Sequence, residues 1–143
     1  MTGVQKLDHR FVEAVPSELV SGILYVSLEY ATMMHLCCCG CGNEVVTPLS
    51  PNDWKMTYDG QTVSVHPSVG SWSLPCRSHY VIRRGRVNWA GDWTDEQIVK
   101  GRERDQAIKA SAKGLVEVRP ELVQVQPENR KSWWASISRL FGL

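Results

Sequence analysis

Residues 1–90 hold short runs of strand-forming side chains separated by turn residues, a pattern typical of a small, mainly antiparallel β-sheet or barrel. Strands are predicted at 11–15, 23–30, 32–36 and 44–47, the last two on either side of a cysteine-rich stretch. Because the runs are short and the turns between them are local, this part of the chain is predicted to be β-rich.

Two later stretches have the alternation and the central turn residues of β-hairpins. In KMTYDGQTVSV the runs meet at Asp59-Gly60, which predicts a type I′ turn, and in YVIRRGRVNW the turn falls at Arg84-Gly85. Between the hairpins, HPSVGSWSLPCRSHY contains two prolines, a glycine and four serines. We therefore expect a loop there, held in place by a rigid sheet.

The pattern changes to helical spacing at Thr94. TDEQIVKGRERDQAIKASAKG opens with a capping box between Thr94 and Gln97 and predicts a largely solvated helix that ends at Gly114. Residues 115–130 are polar and predict a linker. The final SWWASISRLFGL places apolar side chains on one helical stripe and predicts an amphipathic tail.

Composition and charge exclude several classes of function. The chain has 143 residues, 43% of them hydrophobic and 22% charged, as is typical of one globular domain. A formal net charge of +1 does not favour binding to nucleic acid or to an anionic membrane. The longest apolar run, 19–28, is too short for a transmembrane segment, and the first residues lack the apolar core of a signal peptide. We expect a cytoplasmic protein in a reducing compartment.

The stretch HLCCCGCG places four cysteines in five consecutive positions, and a fifth, Cys76, follows in LPCRSHY. Thiols this crowded cannot form ordinary disulfides with one another, and a reducing compartment disfavours disulfides in general. As thiolates they would repel one another unless a cation lay among them. Zinc is the cation that suits such ligands, so the sequence predicts a zinc site.

Alternate side chains of an extended strand stand about 6.6 Å apart, so the chain must curl to bring neighbouring thiols to one ion. Gly40 and Gly42 permit that curl because glycine accepts left-handed backbone conformations. The predicted zinc ligands are Cys37, Cys39, Cys41 and Cys76.

Two alternatives remain open for the ligand set. A C-x-x-C-G knuckle would use Cys38 with Cys41, and His35 or His79 would replace one thiolate. Four protein ligands close the coordination sphere, so the zinc is expected to be structural. It would join the cysteine-rich stretch to the loop that holds Cys76.

The loop around Cys76 also holds the groups of a nucleophilic site, in which a serine hydroxyl attacks and an imidazole takes its proton. Ser78 and His79 are poor partners because adjacent residues of a strand point to opposite faces. Ser68 and His79 would meet once the metal joins the two loop segments. Backbone N–H groups near Gly70, or the Ser78 hydroxyl, would then stabilise the oxyanion.

Simpler interpretations of the same residues exist. Ser68 could cap a turn, and His79 could be a buried histidine with its hydrogen bonds satisfied. No G-x-S-x-G motif is present, and the acid that would orient the histidine stays open between Asp53 and Asp92.

HLCCCGCGNEVVTPL followed by HPSVGSWSLPCRSHYVIRRGRVNWA resembles a bacterial family whose pattern reads C-P-C-G-C-G, then P-S-[IV]-G-x-W, then C-x-S-H-[YF]. The resemblance covers about 33–90. Members are commonly encoded beside ubiquitin-activating-like, ubiquitin-conjugating-like and ubiquitin-like proteins. The resemblance therefore implies a peptidase or transpeptidase-like enzyme that acts on a ubiquitin-like protein, with the activating and conjugating enzymes as partners and a role in phage defence.

Carried over residue by residue, the resemblance implies the same four thiol ligands, because Cys38 stands where the family pattern often has proline. Its polar positions are Ser68, Ser78 and His79. Ser68 would form an acyl-enzyme with His79 as general base and then general acid.

Two other functions compete with this one. A non-catalytic zinc-binding module would bridge the conjugation enzymes, and a zinc hydrolase would need only three protein ligands and an activated water. For all three the predicted fold is α+β, with a β-rich zinc-binding core at 1–92, a helix at 93–114 packed on or beside it, and a linker with a C-terminal tail at 115–143.

Overall fold

The structure, a computed structural model, describes residues 3–117, which form two mostly antiparallel sheets and one helix. The elements are β1 (Asp8–Phe11), β2 (Ile23–Ser27), β3 (Thr32–Leu36), β4 (Glu44–Pro48), β5 (Lys55–Tyr58), β6 (Val63–Gly70), β7 (His79–Arg83), β8 (Arg86–Trp89) and α1 (Asp95–Glu117). Both sheets lie in the compact unit Met1–Gln106. Within the described range, no helix is long and apolar enough to cross a membrane.

The first sheet has the strand order β1-β2-β3-β4, with β1 parallel to β2 and the other pairs antiparallel. The predicted strand at 23–30 is too long, because β2 ends at Ser27. The Ser27 hydroxyl donates to the carbonyl of Glu13 and accepts from the amide of Tyr30, which stabilises a turn where the prediction continued the strand. The strand predicted at 11–15 is also misplaced, since β1 ends at Phe11.

The second sheet has the order β5-β6-β7-β8 with every pair antiparallel. The N-terminal segment runs along its β8 edge, where the amide of Leu7 donates to the carbonyl of Gly85 and the amide of Val87 donates to the carbonyl of Gln5. Apolar side chains of both sheets form one core, which includes Leu24, Val26, Met33, Val65, Tyr80 and Ile82. The N-terminal segment thus supplies backbone hydrogen bonds to β8, the edge strand next to β7, which begins at His79.

The two predicted hairpins differ in their turns. At Arg84-Gly85 both residues have positive φ, 50° and 72°, and Arg83 pairs with Arg86, as a two-residue type I′ loop requires. The type I′ prediction at Asp59-Gly60 is wrong, because Tyr58 pairs with Val63 and leaves a four-residue loop. The Asp59 carboxylate accepts bonds from the Gln61 and Thr62 amides and from the Thr62 hydroxyl, and so fixes the longer loop.

Strand β6 continues further than the sequence predicts and is irregular where it does so. It pairs with β7 at Val65↔Ile82 and again at Val69↔Tyr80, so three residues of β6 lie opposite one residue of β7. The residues from His66 onward were expected to form a loop. Such a bulge redirects side chains while it keeps them on a sheet, and this one contains Ser68.

Helix α1 begins as the sequence predicts. The Thr94 amide donates to Oε1 of Gln97 and the Gln97 amide donates to Oγ1 of Thr94, which is a capping box. Ile98 is buried, whereas most of the helix is exposed, in agreement with the solvated helix expected. The predicted end at Gly114 is wrong, because the helix continues to Glu117; a single glycine costs an exposed helix only about 1 kcal/mol. The linker and tail were predicted at 115–143; residues 115–117 belong to α1, and 118–143 lie outside the described residues.

Candidate functional site

Four thiols converge at the end of β3. The Sγ atoms of Cys37, Cys39, Cys41 and Cys76 all lie within 4.8 Å of one another. The curl expected between them is present, since Gly40 and Gly42 have φ of 89° and 81°. These four cysteines can therefore bind one metal ion, joining the stretch after β3 to the loop before β7.

The spacing of the sulfur atoms suits tetrahedral thiolate coordination. Sγ of Cys37 lies 3.5 Å from that of Cys39 and 3.9 Å from that of Cys76, and Sγ of Cys41 lies 3.8 Å from that of Cys76. A tetrahedron with Zn–S bonds of 2.3 Å has edges of about 3.8 Å. The donor set and its dimensions thus fit zinc.

The electrostatics of the thiols also favour a cation. Burial raises the pKa of Cys37 well above that of a free thiol. The pKa of the exposed Cys41 is lowered to about 6, because the backbone and side-chain amides of Asn43 donate hydrogen bonds to it. The exposed thiol of Cys41 therefore ionises readily, whereas the buried thiol of Cys37 needs a bound cation to lose its proton.

The other candidate ligands have different partners. Cys38 is fully buried in the core beside Tyr80, and Nε2 of His35 shares a 2.7 Å hydrogen bond with the Tyr80 hydroxyl. Burial lowers the pKa of His35 to about 4, so this imidazole is neutral and belongs to the core. The geometry thus gathers the four predicted thiols and leaves the C-x-x-C-G alternative without Cys38.

Ser68 and His79 form a hydrogen-bonded pair across β6 and β7. Oγ of Ser68 lies 2.8 Å from Nε2 of His79. His79 is 8% exposed, whereas Ser68, on the bulge, is half-buried. A hydroxyl hydrogen-bonded to a buried imidazole is the arrangement that serine nucleophiles use.

The second nitrogen of His79 bonds to the backbone. Nδ1 lies 2.8 Å from the carbonyl oxygen of Gly91, in the segment between β8 and α1. A carbonyl oxygen only accepts, so Nδ1 carries the proton and Nε2 of the neutral ring presents its lone pair to Ser68. The ring is therefore in the tautomer that a general base requires.

Neither aspartate proposed from the sequence bonds to His79. Asp92 lies 3.9 Å from Nε of Arg77, and the Asp53 carboxylate accepts a hydrogen bond from Ser50. The acceptor that orients the ring is Gly91, which sequence reasoning missed. A backbone carbonyl carries no residue-type signal, so the pattern of acids along the chain could not have revealed it.

Ser78 lies on the metal side of the site. Its side chain hydrogen-bonds to the Cys37 thiol, whereas the neighbouring His79 reaches Ser68. This division follows from the alternation of side chains at the start of a strand. The structure thus brings Ser68 and His79 together and places Ser78 next to the metal ligands.

Two tryptophans that the sequence analysis did not assign enclose His79. The Trp72 ring centroid lies 4.9 Å from that of His79, and the Trp93 centroid lies 5.2 Å from it in an edge-on arrangement. The two indoles stack on each other at 5.6 Å with 19° between their planes. Gly101 permits the first turns of α1 to approach, since a methyl group there would lie 3.2 Å from Trp93.

Arg77 holds this aromatic group against the start of α1. Its guanidinium donates to the carbonyl of Trp93 at 3.0 Å and to Asp95 at 3.1 Å, and lies 5.7 Å from the Trp72 ring centroid. Arg77 directly follows the candidate metal ligand Cys76, so the same short segment contacts both the thiol cluster and the aromatic rings around His79.

A cavity of about 470 Å³ opens between the cysteines and the histidine. Its walls include Cys39, Cys76, Arg77, His79 and Trp89. A displacement of the metal-binding loop would therefore also change the surroundings of the imidazole.

The chain matches the model of a protein family. The family model BubE, described as bacterial ubiquitination-like system serine protease, matches residues 11–90. No curated protein and no solved structure matches the chain. The matched region contains all four thiols, Ser68 and His79, and it ends just before Gly91.

Proposed function

Since the chain belongs to the BubE family of bacterial ubiquitination-like system serine proteases, we propose that Ser68 is its nucleophile and His79 its general base. The observation that carries this proposal is the 2.8 Å contact between Oγ of Ser68 and Nε2 of His79, with Nδ1 held by the Gly91 carbonyl. The pair has the geometry that general-base activation of a serine requires.

The reaction follows from that tautomer. Oγ of Ser68 attacks the carbonyl carbon of the scissile bond while its proton moves to Nε2 of His79. The tetrahedral oxyanion collapses, the carbon–nitrogen bond breaks, and the departing amine takes the proton from Nε2. Water then hydrolyses the ester on Ser68 with His79 again as base, which regenerates the hydroxyl. An incoming amine in place of water would make the same step a transpeptidation.

The substrate that we propose is a ubiquitin-like protein, cleaved at or near its C-terminus. Two observations support it: the family description names a ubiquitination-like system, and Ser68 lies on a half-exposed bulge that a folded protein with an extended tail can reach. The activating and conjugating enzymes of that system would supply the conjugates on which the protease acts.

The proposed metal is one structural zinc ion on Cys37, Cys39, Cys41 and Cys76. A closed sphere of four thiolates leaves no position for an activated water, so the four-thiol set argues against a zinc hydrolase. When bound, the ion would fix the loop before β7, and with it Arg77 and the start of the strand that holds His79. Its contribution is to folding.

A fluorophosphonate probe tests the nucleophile. Wild-type protein should be labelled at Ser68, and Ser68→Ala and His79→Ala should not. Equal labelling of Ser68→Ala would remove the mechanism. Incubation with a ubiquitin-like protein of the same system, followed by mass spectrometry of the products, tests the substrate. If the enzyme reacts with the probe but the mass of the ubiquitin-like protein does not change, the proposed substrate is rejected and the proposed nucleophile is not.

A further inference from the structure

We propose that the indole N–H of Trp72 is the oxyanion donor of this site, an inference that rests on acyl transfer at Ser68 as proposed above. An acyl-transfer site needs donors aimed at the oxygen on which negative charge develops. Ser78, the side chain expected to serve, bonds to Cys37, and the backbone amide of Ser71, next to Gly70, donates to the carbonyl of Ser78 at 2.7 Å. Among the described residues, another donor has to be found near the serine.

Trp72 folds back onto Gly70, so that its nitrogen edge lies against the strand. A methyl group built on Gly70 would collide with Nε1 of Trp72, the nearest atom to it, and would lie 2.7 Å from Cε2. The indole nitrogen thus occupies the space that a side chain at position 70 would fill. Glycine is required here by this close approach and not by its backbone angle.

That space is on the face of the sheet where the reactive groups meet. Gly70 lies directly opposite His79 in the β6–β7 register, and Ser68 is two residues earlier on the same strand. Alternate residues of a strand share a face and are about 7 Å apart. The Trp72 ring also contacts His79, with centroids 4.9 Å apart. Nε1 therefore lies on the face of the sheet that Ser68 and His79 share.

The position also suits an oxyanion donor. In the tetrahedral intermediate the oxyanion is bonded to the carbon that Oγ of Ser68 has attacked, and it needs a donor about 3 Å away. An indole nitrogen at the neighbouring position of the same face can approach that oxygen when substrate is bound.

The Trp72 N–H is free to act in this way. In the described residues it donates no hydrogen bond, whereas Nε1 of Trp54 donates to the carbonyl of Ser68 at 3.3 Å. A partly buried indole N–H usually has an acceptor, so a substrate oxygen would satisfy an unused donor. Ser71, whose buried hydroxyl has no partner, directly follows Gly70, and consecutive residues of an extended chain point to opposite sides.

The indole is also held in place before substrate binds. Trp93 stacks on it, and the Arg77 guanidinium lies over its ring. Arg77 is in turn paired with Asp95 at 3.1 Å. A donor fixed by its neighbours does not need to reorganise during the reaction, which is the condition under which oxyanion donors are most effective.

The experiment compares rates of Ser68 labelling by a fluorophosphonate, whose phosphoryl oxygen occupies the position of the oxyanion. Trp72→Phe keeps an aromatic ring and removes the N–H. Replacement of Trp72 by benzothienylalanine keeps the shape of the indole and substitutes sulfur for the N–H. Both should be labelled about 100-fold more slowly than wild type, or slower. Trp93→Phe, the matched variant in the stacked indole, should reduce the labelling rate much less.

A spectroscopic measurement tests the contact itself. The indole ¹H–¹⁵N resonance missing from Trp72→Phe identifies Trp72, and it should move downfield when Ser68 carries the probe. Ser68→Ala treated with the probe should show no movement.

The inference is overturned if wild-type protein is labelled at Ser68 while either Trp72 variant reacts at the wild-type rate. A loss in Trp93→Phe equal to that in Trp72→Phe, or an unmoved Trp72 resonance in the complete adduct, also overturns it. These outcomes leave the proposed protease intact. Absence of labelling in wild-type protein would instead reject the nucleophile, and the oxyanion donor with it.

Discussion

Gly91 supplies through its backbone the acceptor that orients His79, at 2.8 Å from Nδ1. In a serine–histidine–aspartate triad a carboxylate has this position, fixes the tautomer and stabilises the imidazolium by its charge. The carbonyl of Gly91 fixes the tautomer, but it has no formal charge with which to stabilise the imidazolium. The proposed catalytic pair is therefore a dyad that depends on backbone geometry.

Substitution of Asp92 tests that conclusion. Asp92→Asn removes the carboxylate nearest in sequence to Gly91, yet the side chain pairs with Arg77 and is 72% exposed. We expect the rate of fluorophosphonate labelling to stay close to that of wild type. A loss of two or more orders of magnitude, comparable to that of His79→Ala, would show that Asp92 supplies the orienting charge.

Measuring the zinc content of cysteine variants distinguishes the four proposed zinc ligands from Cys38, which packs in the core. Elemental analysis of purified protein should find one zinc per chain. Cys76→Ser should lose the metal and much of the stability, because the loop before β7 loses its connection to the stretch after β3. Cys38→Ala is the matched control: Cys38 is buried in the core, so this variant should retain one zinc. Loss of zinc from Cys38→Ala with retention in Cys76→Ser would contradict the assignment.

Local chemistry in the sequence predicted the hairpin at Arg84-Gly85 and the capping box at Thr94, since the determinants of both lie within four residues of one another. The thiol cluster was also predictable, because crowded cysteines beside glycines carry their own chemical signal. The prediction of a two-residue turn at Asp59-Gly60 failed because the Asp59 carboxylate, and not backbone propensity, stabilises a longer loop there.

The part of the site that could not be predicted depends on tertiary geometry. The Gly91 carbonyl acts through the backbone, and Trp72 acts through its approach to Gly70, so neither shows in residue spacing. The indole of Trp72 did have a signal, its fixed place in the P-S-V-G-S-W segment, but aromatic residues in a loop are more often read as packing. The bulge in β6 has no sequence mark beyond Pro67, which read as a loop.

Gly70→Ala should impair the reaction through Trp72. The new methyl group would collide with Nε1 and displace the indole, so the labelling rate should fall in the wild-type background. In the Trp72→Phe background the same change should cost much less, because the donor is already absent. This double-mutant cycle is evaluated from four labelling rates, with thermal unfolding as the check on folding. Strictly additive losses would show that Gly70 acts independently of Trp72.

Asp59 gives a pH dependence to the β5–β6 hairpin. Hydrogen bonds from the Thr62 side chain and amide and from the Gln61 amide lower its pKa from 3.8 to about 2. The unfolded chain therefore binds this proton first as the pH falls, so the stabilisation is present above pH 3.8 and is lost as the pH falls toward 2. Asp59→Asn should be less stable than wild type near neutrality, and the difference between the two in urea unfolding should narrow across that window. A difference that widens in acid would have the wrong sign.

The region that defines the family ends at residue 90, one position before the carbonyl that orients the imidazole. A protein trimmed to residues 11–90 would keep Ser68 and His79 and would lose the Gly91 carbonyl, Trp93 and the α1 turn that contacts Trp93. A match over that block alone therefore accounts for the serine and the histidine and leaves the orientation of the ring to residues downstream of it.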